Sequence, residues 1–140
     1  MSTPSLPQPV AYADKLVWSN IFFVFNALAY LYVGYWFLAL PMLLTSVASF
    51  QYHRTLDEKA GKTDQICAVI TLKMILTTAY LHLETPYFAF LLSTALLSVV
   101  IKKWGDLHRG KDSYNNRHFI WHVIVFLSNL LAAVFFGINL

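Results

Sequence analysis

Charge is scarce in this chain: only 12% of its 140 residues are Asp, Glu, Lys or Arg, while 58% are hydrophobic. Soluble domains carry about 25% charged residues, and one of this length has too small an interior to hide so much apolar surface. A water-soluble globular fold is therefore excluded. Cysteine is nearly absent too. Cys67 is the single one and lies within an apolar segment, which rules out an internal disulfide and any CxxC metal or redox pair. No nucleotide-binding glycine loop and no nucleic-acid-binding signature occurs. Proline is sparse outside the start of the chain, where Pro4, Pro7 and Pro9 make residues 1–14 read as an extended or disordered tail. No small-residue cleavage signal follows that tail, and the next apolar run is too long for a signal-peptide core, so the tail is expected to be retained.

What remains is long apolar runs. From Leu16 to Tyr52 the sequence is almost continuously apolar, and one helix of that length would measure about 55 Å, well beyond a ~30 Å bilayer core. It must fold back, and Tyr32-Val33-Gly34-Tyr35 is the expected turn, with aromatics suited to the membrane interface. The first two spans are then expected over 15–32 and 35–53, the second bent at Pro41. Thr63 is expected to cap a third helix over 64–80, and Thr85-Pro86 to open a fourth over 86–101. A polar loop through Asn115 and Asn116 leads to a fifth over 118–138. The expected fold is all-α, a single polytopic transmembrane bundle of about five spans.

That topology sorts the charges. Of the ten Lys and Arg residues, all except Lys73 fall on the side of the N-terminus, including Lys59, Lys102, Lys103, Arg109 and Lys111. By the positive-inside rule this side is cytoplasmic and the C-terminus lies opposite. Anionic lipid contact is a secondary role for the same residues.

The same parity gathers the chemistry-bearing residues. His53 closes the second span, Asp64 opens the third, and His118 and His122 open the fifth, all on one side. His118 and His122 stand four apart, hence on one helix face. Ser49 lies one turn from His53 on its face, Ser46 nearly continues that stripe, and Asn129 extends the face of His122. Polar stripes within membrane helices face the bundle interior or a water-filled cavity. Each residue singly has a plainer role: a histidine at headgroup level, an aspartate favoured by a helix N-terminus, serines that permit close helix packing. His82 and His108 lack partners at ligand spacing and read as interfacial or loop residues. Lys73 either snorkels toward the far side or turns inward to a polar group of a substrate.

Taken together, Ser49-Phe-Gln-Tyr-His53, then Asp64, then His118-Phe-Ile-Trp-His122 resembles the Ser…His, Asp, His-x-x-x-His signature of a superfamily of seven-helix membrane hydrolases. That group includes alkaline ceramidases, hemolysin III-like proteins, the adiponectin/progestin receptors and lipid-remodelling factors of GPI anchors. The resemblance covers three of the expected spans, and the short separation of His53 from Asp64 looks most like the ceramidase branch. It implies Zn²⁺ held by His53, His118 and His122, with Asp64 and Ser49 as catalytic neighbours. The chain departs from the family in having five expected spans rather than seven; loss of one hairpin would keep the parity.

Three neutral imidazoles would leave a tetrahedral zinc one open position, the arrangement of catalytic rather than structural sites. Asp64 would handle the proton of the water there, and Ser49 would donate to an oxyanion or hold Asp64. At the membrane boundary this suits a lipid amide or ester, with Lys73 and Asn129 as candidate substrate contacts. The alternative is a membrane lipid sensor, receptor or assembly partner whose zinc is structural. An acyl-chain cavity reaching the metal would favour the hydrolase; packing by Tyr52, Phe119 and Trp121 would favour the sensor. The oligomeric state stays open.

Overall fold

A computed structural model describes residues 14–108 and 113–138, and among these the fold is all-α, with no strand. Six helices follow one another: α1 (Asp14–Trp18), α2 (Ile21–Tyr32), α3 (Trp36–Thr55), α4 (Glu58–His82), α5 (Thr85–Asp106) and α6 (Ser113–Ile138). The first two form one pass across the bundle, broken at Ser19-Asn20. The expected uninterrupted helix over 15–32 is thus corrected. Ser19 and Asn20 turn their side chains back on the preceding turn: Asn20 Nδ2 donates to the carbonyls of Leu16 at 2.8 Å and Val17 at 3.1 Å. Such local bonds compete with the helix ladder.

The turn at 33–35 forms as expected. Gly34 sits at φ +79°, a left-handed conformation that a side chain would strain, although a Cβ there would touch nothing. Between α3 and α4 only Leu56 and Asp57 intervene, so these helices run antiparallel in a tight hairpin. Asp57 caps α4, its Oδ2 accepting from Ala60 N at 2.9 Å. A Cβ on Gly61 would meet the Tyr52 ring at 2.9 Å, so the glycine is what lets the start of α4 lie against the end of α3.

The expected cap at Thr63 is therefore wrong. Thr63 lies inside α4 and donates to Lys59 O at 3.0 Å, and Asp64 is in the second turn rather than at the start. Similarly α5 begins at Thr85 after Glu84, with Pro86 in its first turn, and continues to Asp106 with the help of a Lys102–Asp106 ion pair at 3.0 Å. Asn115 and Asn116 belong to α6. In α4 and α5, i,i+4 charge pairs, Glu58–Lys62 and Lys102–Asp106, accompany the extension of the helix past its apolar core; α6 begins on Ser113, Tyr114, Asn115 and Asn116 despite their modest helix propensity. The tail assigned to 1–14 lies outside the described residues except for Asp14, which opens α1; Arg109 and Lys111 lie outside them as well.

α3 packs most extensively against α4 and α2, α5 against α6, and α6 against α2, whereas α4 meets α5 and α6 only sparsely. Phe23, Ala27, Tyr30, Leu38, Met42, Ile75, Ala79, Leu83 and Phe136 form a core filling the half of the bundle that holds the α2–α3 turn. Large apolar side chains cover the outside, among them Leu44, Val47, Ile70, Leu96, Val100 and Val134. In water such a surface would be an aggregation liability. α4, α5 and α6 are each long and apolar enough to cross a membrane.

Single cysteines in a Cys67→Ser background test the crossing. Cysteines placed at Lys59 and Lys103 should react with a membrane-impermeant thiol reagent from one face only, and one at Glu84 only from the other. Labelling of Lys59 and Lys103 from opposite faces would refute the hairpin's span.

Candidate metal centre

α3 delivers His53 near its C-terminal end, and α6 delivers His118 and His122 from its second and third turns. The three imidazoles converge: each offers one nitrogen within 4.8 Å of the others, and ring centroids are 4.9 Å (His53–His118), 5.3 Å (His53–His122) and 5.0 Å (His118–His122) apart. All three are buried, His122 completely. His82 and His108 stay apart from the cluster, His82 edge-on to Tyr35 and His108 with Nδ1 against Trp104 O at 3.0 Å.

A residue 103 positions away decides how His122 is oriented. Ser19 Oγ lies 2.9 Å from Leu16 O and 2.7 Å from His122 Nδ1. A hydroxyl has one hydrogen, and a carbonyl oxygen can only accept. Both contacts are satisfied when Ser19 donates to Leu16 and accepts from Nδ1–H of His122. The proton then sits on Nδ1, and Nε2 keeps its lone pair. That Nε2 is buried with no hydrogen-bond partner, and so is Nε2 of His53. Leaving a buried polar atom unsatisfied costs about 1–3 kcal/mol, so two together mark a place built for something that accepts electron pairs. Ligands of a tetrahedral ion at about 2.1 Å stand roughly 3.4 Å apart; side-chain adjustments of about an ångström would bring these nitrogens to that spacing. Three close, buried histidines are thus placed to hold a metal ion.

Asp64 is not one of this group. Its carboxylate instead faces the Ser49 hydroxyl, and the Lys102 ammonium of α5 acts on its charge. Ser49 is buried, and Ser46, one turn earlier, donates to Asn20 O at 2.9 Å, tying α3 to the break after α1. Ser49, Asp64 and Lys102 form the polar end of a cavity of about 320 Å³ among α3, α4, α5 and α6. The rest of its wall is mainly apolar, with Phe23, Met42, Leu72, Ile75, Leu91 and Val125, and Asn129 lies deeper. Val69 and Val99 line it while facing outward, so it opens sideways between α4 and α5, where packing is sparse. The histidines are not in this wall. Trp121 is, and its ring lies 5.2 Å from both His118 and His122.

The two candidate substrate contacts part company. Asn129 lines the cavity, its Oδ1 accepting from Tyr30 Oη at 3.1 Å. Lys73 is exposed on the outer face of α4 and does not line the cavity, so its inward reading is corrected. Thr71 and Leu72 occupy the inner face of α4 at that depth. Sequence reasoning missed Ser19 and Lys102. Nothing local signals Ser19, whose partner is on α6. Lys102 was legible, because Leu91, Thr94, Ala95 and Ser98 precede it at helical spacing on the face that turns inward.

Loss of such an outer partner typically costs a metal site about 10–100-fold in affinity. Ser19→Ala should weaken metal binding by about that factor, and Ser19→Thr should restore most of it, read by competition with a chromogenic chelator. Equal affinity in Ser19→Ala and the unmodified protein would remove Ser19 from the site. Comparison of the chain with protein-family models, with curated proteins and with solved structures finds no match.

Proposed function

We propose that the protein is a zinc-dependent integral-membrane hydrolase of a lipid amide or ester, resembling the ceramidase group of membrane hydrolases. One observation carries this reading: three buried histidines lie beside a laterally open apolar cavity whose polar end holds Asp64 and Ser49. The nitrogen-only set suits zinc, and four-coordination would leave one position open. When bound, zinc would supply a water acidified to a pKa of about 7.

The chain's own residues would do the rest. The cavity is at the small end of the ~300–1,000 Å³ range of ligand sites and would take one acyl chain from the side, keeping water from the tail. Asp64 would receive the proton that the attacking water gives up and return it to the departing amine or alkoxide as the acyl C–N or C–O bond breaks. Ser49 would hold Asp64 in place or donate to the oxygen on which negative charge builds. All five passes would cross the bilayer, with the basic end, which includes the histidines, in the cytoplasm.

A second reading has an observation of its own. Because no histidine lines the cavity and Trp121 does, a structural zinc in a lipid sensor also accounts for the site.

Metal content and turnover measured on the same preparations separate the two. About one zinc per chain is expected, lost in His53→Ala, His118→Ala and His122→Ala but retained in His82→Ala and His108→Ala. Asp64→Asn should keep the metal while slowing hydrolysis of a ceramide or acyl-ester lipid by about 10²–10⁴-fold, the usual worth of a general base. A metal-loaded protein inert toward lipid amides and esters alike would leave the sensor. Zinc content unaffected by the three histidine substitutions would end both readings.

A further inference from the structure

Two lysines stand side by side near the end of α5, and they face different ways. Lys103 is exposed, as a topology-setting cation should be. Lys102 is turned inward, its side chain 29% exposed, and forms part of the cavity wall. Its ammonium is 3.0 Å from Asp106 Oδ2, 5.9 Å from the centre of the Trp121 ring, and close enough to Asp64 to act on its charge. A lysine that served only to mark the cytoplasmic side would gain by extending into water. Here the ammonium is held at the mouth of an apolar cavity, tethered by a partner one helical turn away on the same helix, with an indole face beside it.

We infer that Lys102 is an anion subsite: the single-chain lipid that enters between α4 and α5 carries a phosphate or carboxylate, and Lys102 binds it. This rests on reading the cavity as a lipid site, though not on any hydrolysis. Lys102 has three donors and Asp106 Oδ2 engages one, so an anion can be added without breaking the tether. Ser98, one turn earlier, and Gln65 across the cavity lie in the same wall. An acyl chain anchored at Lys102 would run along Leu91, Ala95 and Leu72 toward Ala132.

Binding can be read without turnover. Trp121 is kept as the only tryptophan by replacing Trp18, Trp36 and Trp104 with Phe, and the protein is held in phosphatidylcholine nanodiscs. Bromine-tagged dodecyl phosphate, dodecanoate and dodecanol are then compared as quenchers of Trp121. The two anions are expected to bind about tenfold or more tightly than the alcohol, as a charge-assisted hydrogen bond implies. Lys102→Gln should abolish that preference, Lys102→Arg should keep it, and Asp106→Asn should preserve or strengthen it. No preference in the unmodified protein, or one that persists in Lys102→Gln, would overturn the subsite.

Two further arms fix the source of the anion and of the attraction. Inorganic phosphate that displaced dodecyl phosphate at equal concentration would overturn the lipid assignment, since the chain would then contribute nothing; displacement should need a large excess. The preference should survive a chelator and His122→Ala; if it vanished there, the anion would be bound by the metal rather than by Lys102. Survival together with absent hydrolysis would separate a correct subsite from an incorrect hydrolase reading.

Discussion

Inside a bilayer a polar group has no water to turn to, and everything distinctive about this bundle follows from that constraint. Hydroxyls that cannot find solvent bond to the helix that carries them, as Thr45 does to Pro41 O at 2.9 Å and Thr78 to Met74 O at 2.8 Å. Others reach across: Thr71 of α4 donates to Pro41 O of α3 at 3.1 Å, sharing that carbonyl with Thr45. Asn20 and Asn26 also keep buried side-chain atoms without a partner, but His53 and His122 differ in bringing such nitrogens from two helices into one cluster. It is this convergence, rather than the unbonded atoms alone, that makes the site visible.

The parts of this arrangement that were legible in the sequence are those set by helical periodicity and chain parity. His118 and His122 had to share a face, and a turn at Gly34 returned α3 so that His53 ended near them. The ends of helices were not legible. Asp57, Glu58, Lys59 and Lys62 read as a polar loop, yet they are a cap followed by an exposed Glu58–Lys62 pair, which helices tolerate as readily as loops do. The error matters for Asp64. Seven residues into α4, it is aimed by its helical neighbours into the cavity rather than left at a helix start, where the helix dipole alone would have explained it. Ser19 was invisible for a different reason, since its meaning is a hydrogen bond to a residue on the last helix.

The break between α1 and α2 serves the site through that same bond. If the pass were a regular helix, the carbonyl of Leu16 would be committed to the backbone N–H four residues on, at position 20. Instead Asn20 N bonds to Val17 O, and Leu16 O accepts from the side chains of Ser19 and Asn20. That diversion uses up the single hydrogen of Ser19 and leaves its oxygen as an acceptor, which selects the His122 tautomer with a free Nε2. A local departure from the helix ladder is thereby converted into a choice of proton position at a cluster contributed by two other helices.

Trp121 is where the two functional readings meet. It is next to His122 in sequence, touches His118 and His122 with its ring, lines the cavity and offers its face to Lys102. As placed, it and Phe23, whose ring lies 5.5 Å from that of His122, are cavity-wall residues in ring contact with the histidine cluster. For a hydrolase the acyl carbonyl has to reach the histidines past that indole, so an anion drawn to Lys102 would compete for the contact that holds the ring. For a sensor the same contact would report occupancy of the cavity to the metal cluster without any bond being broken. On either reading, the outcome would turn on how far one indole moved if Lys102 took a ligand.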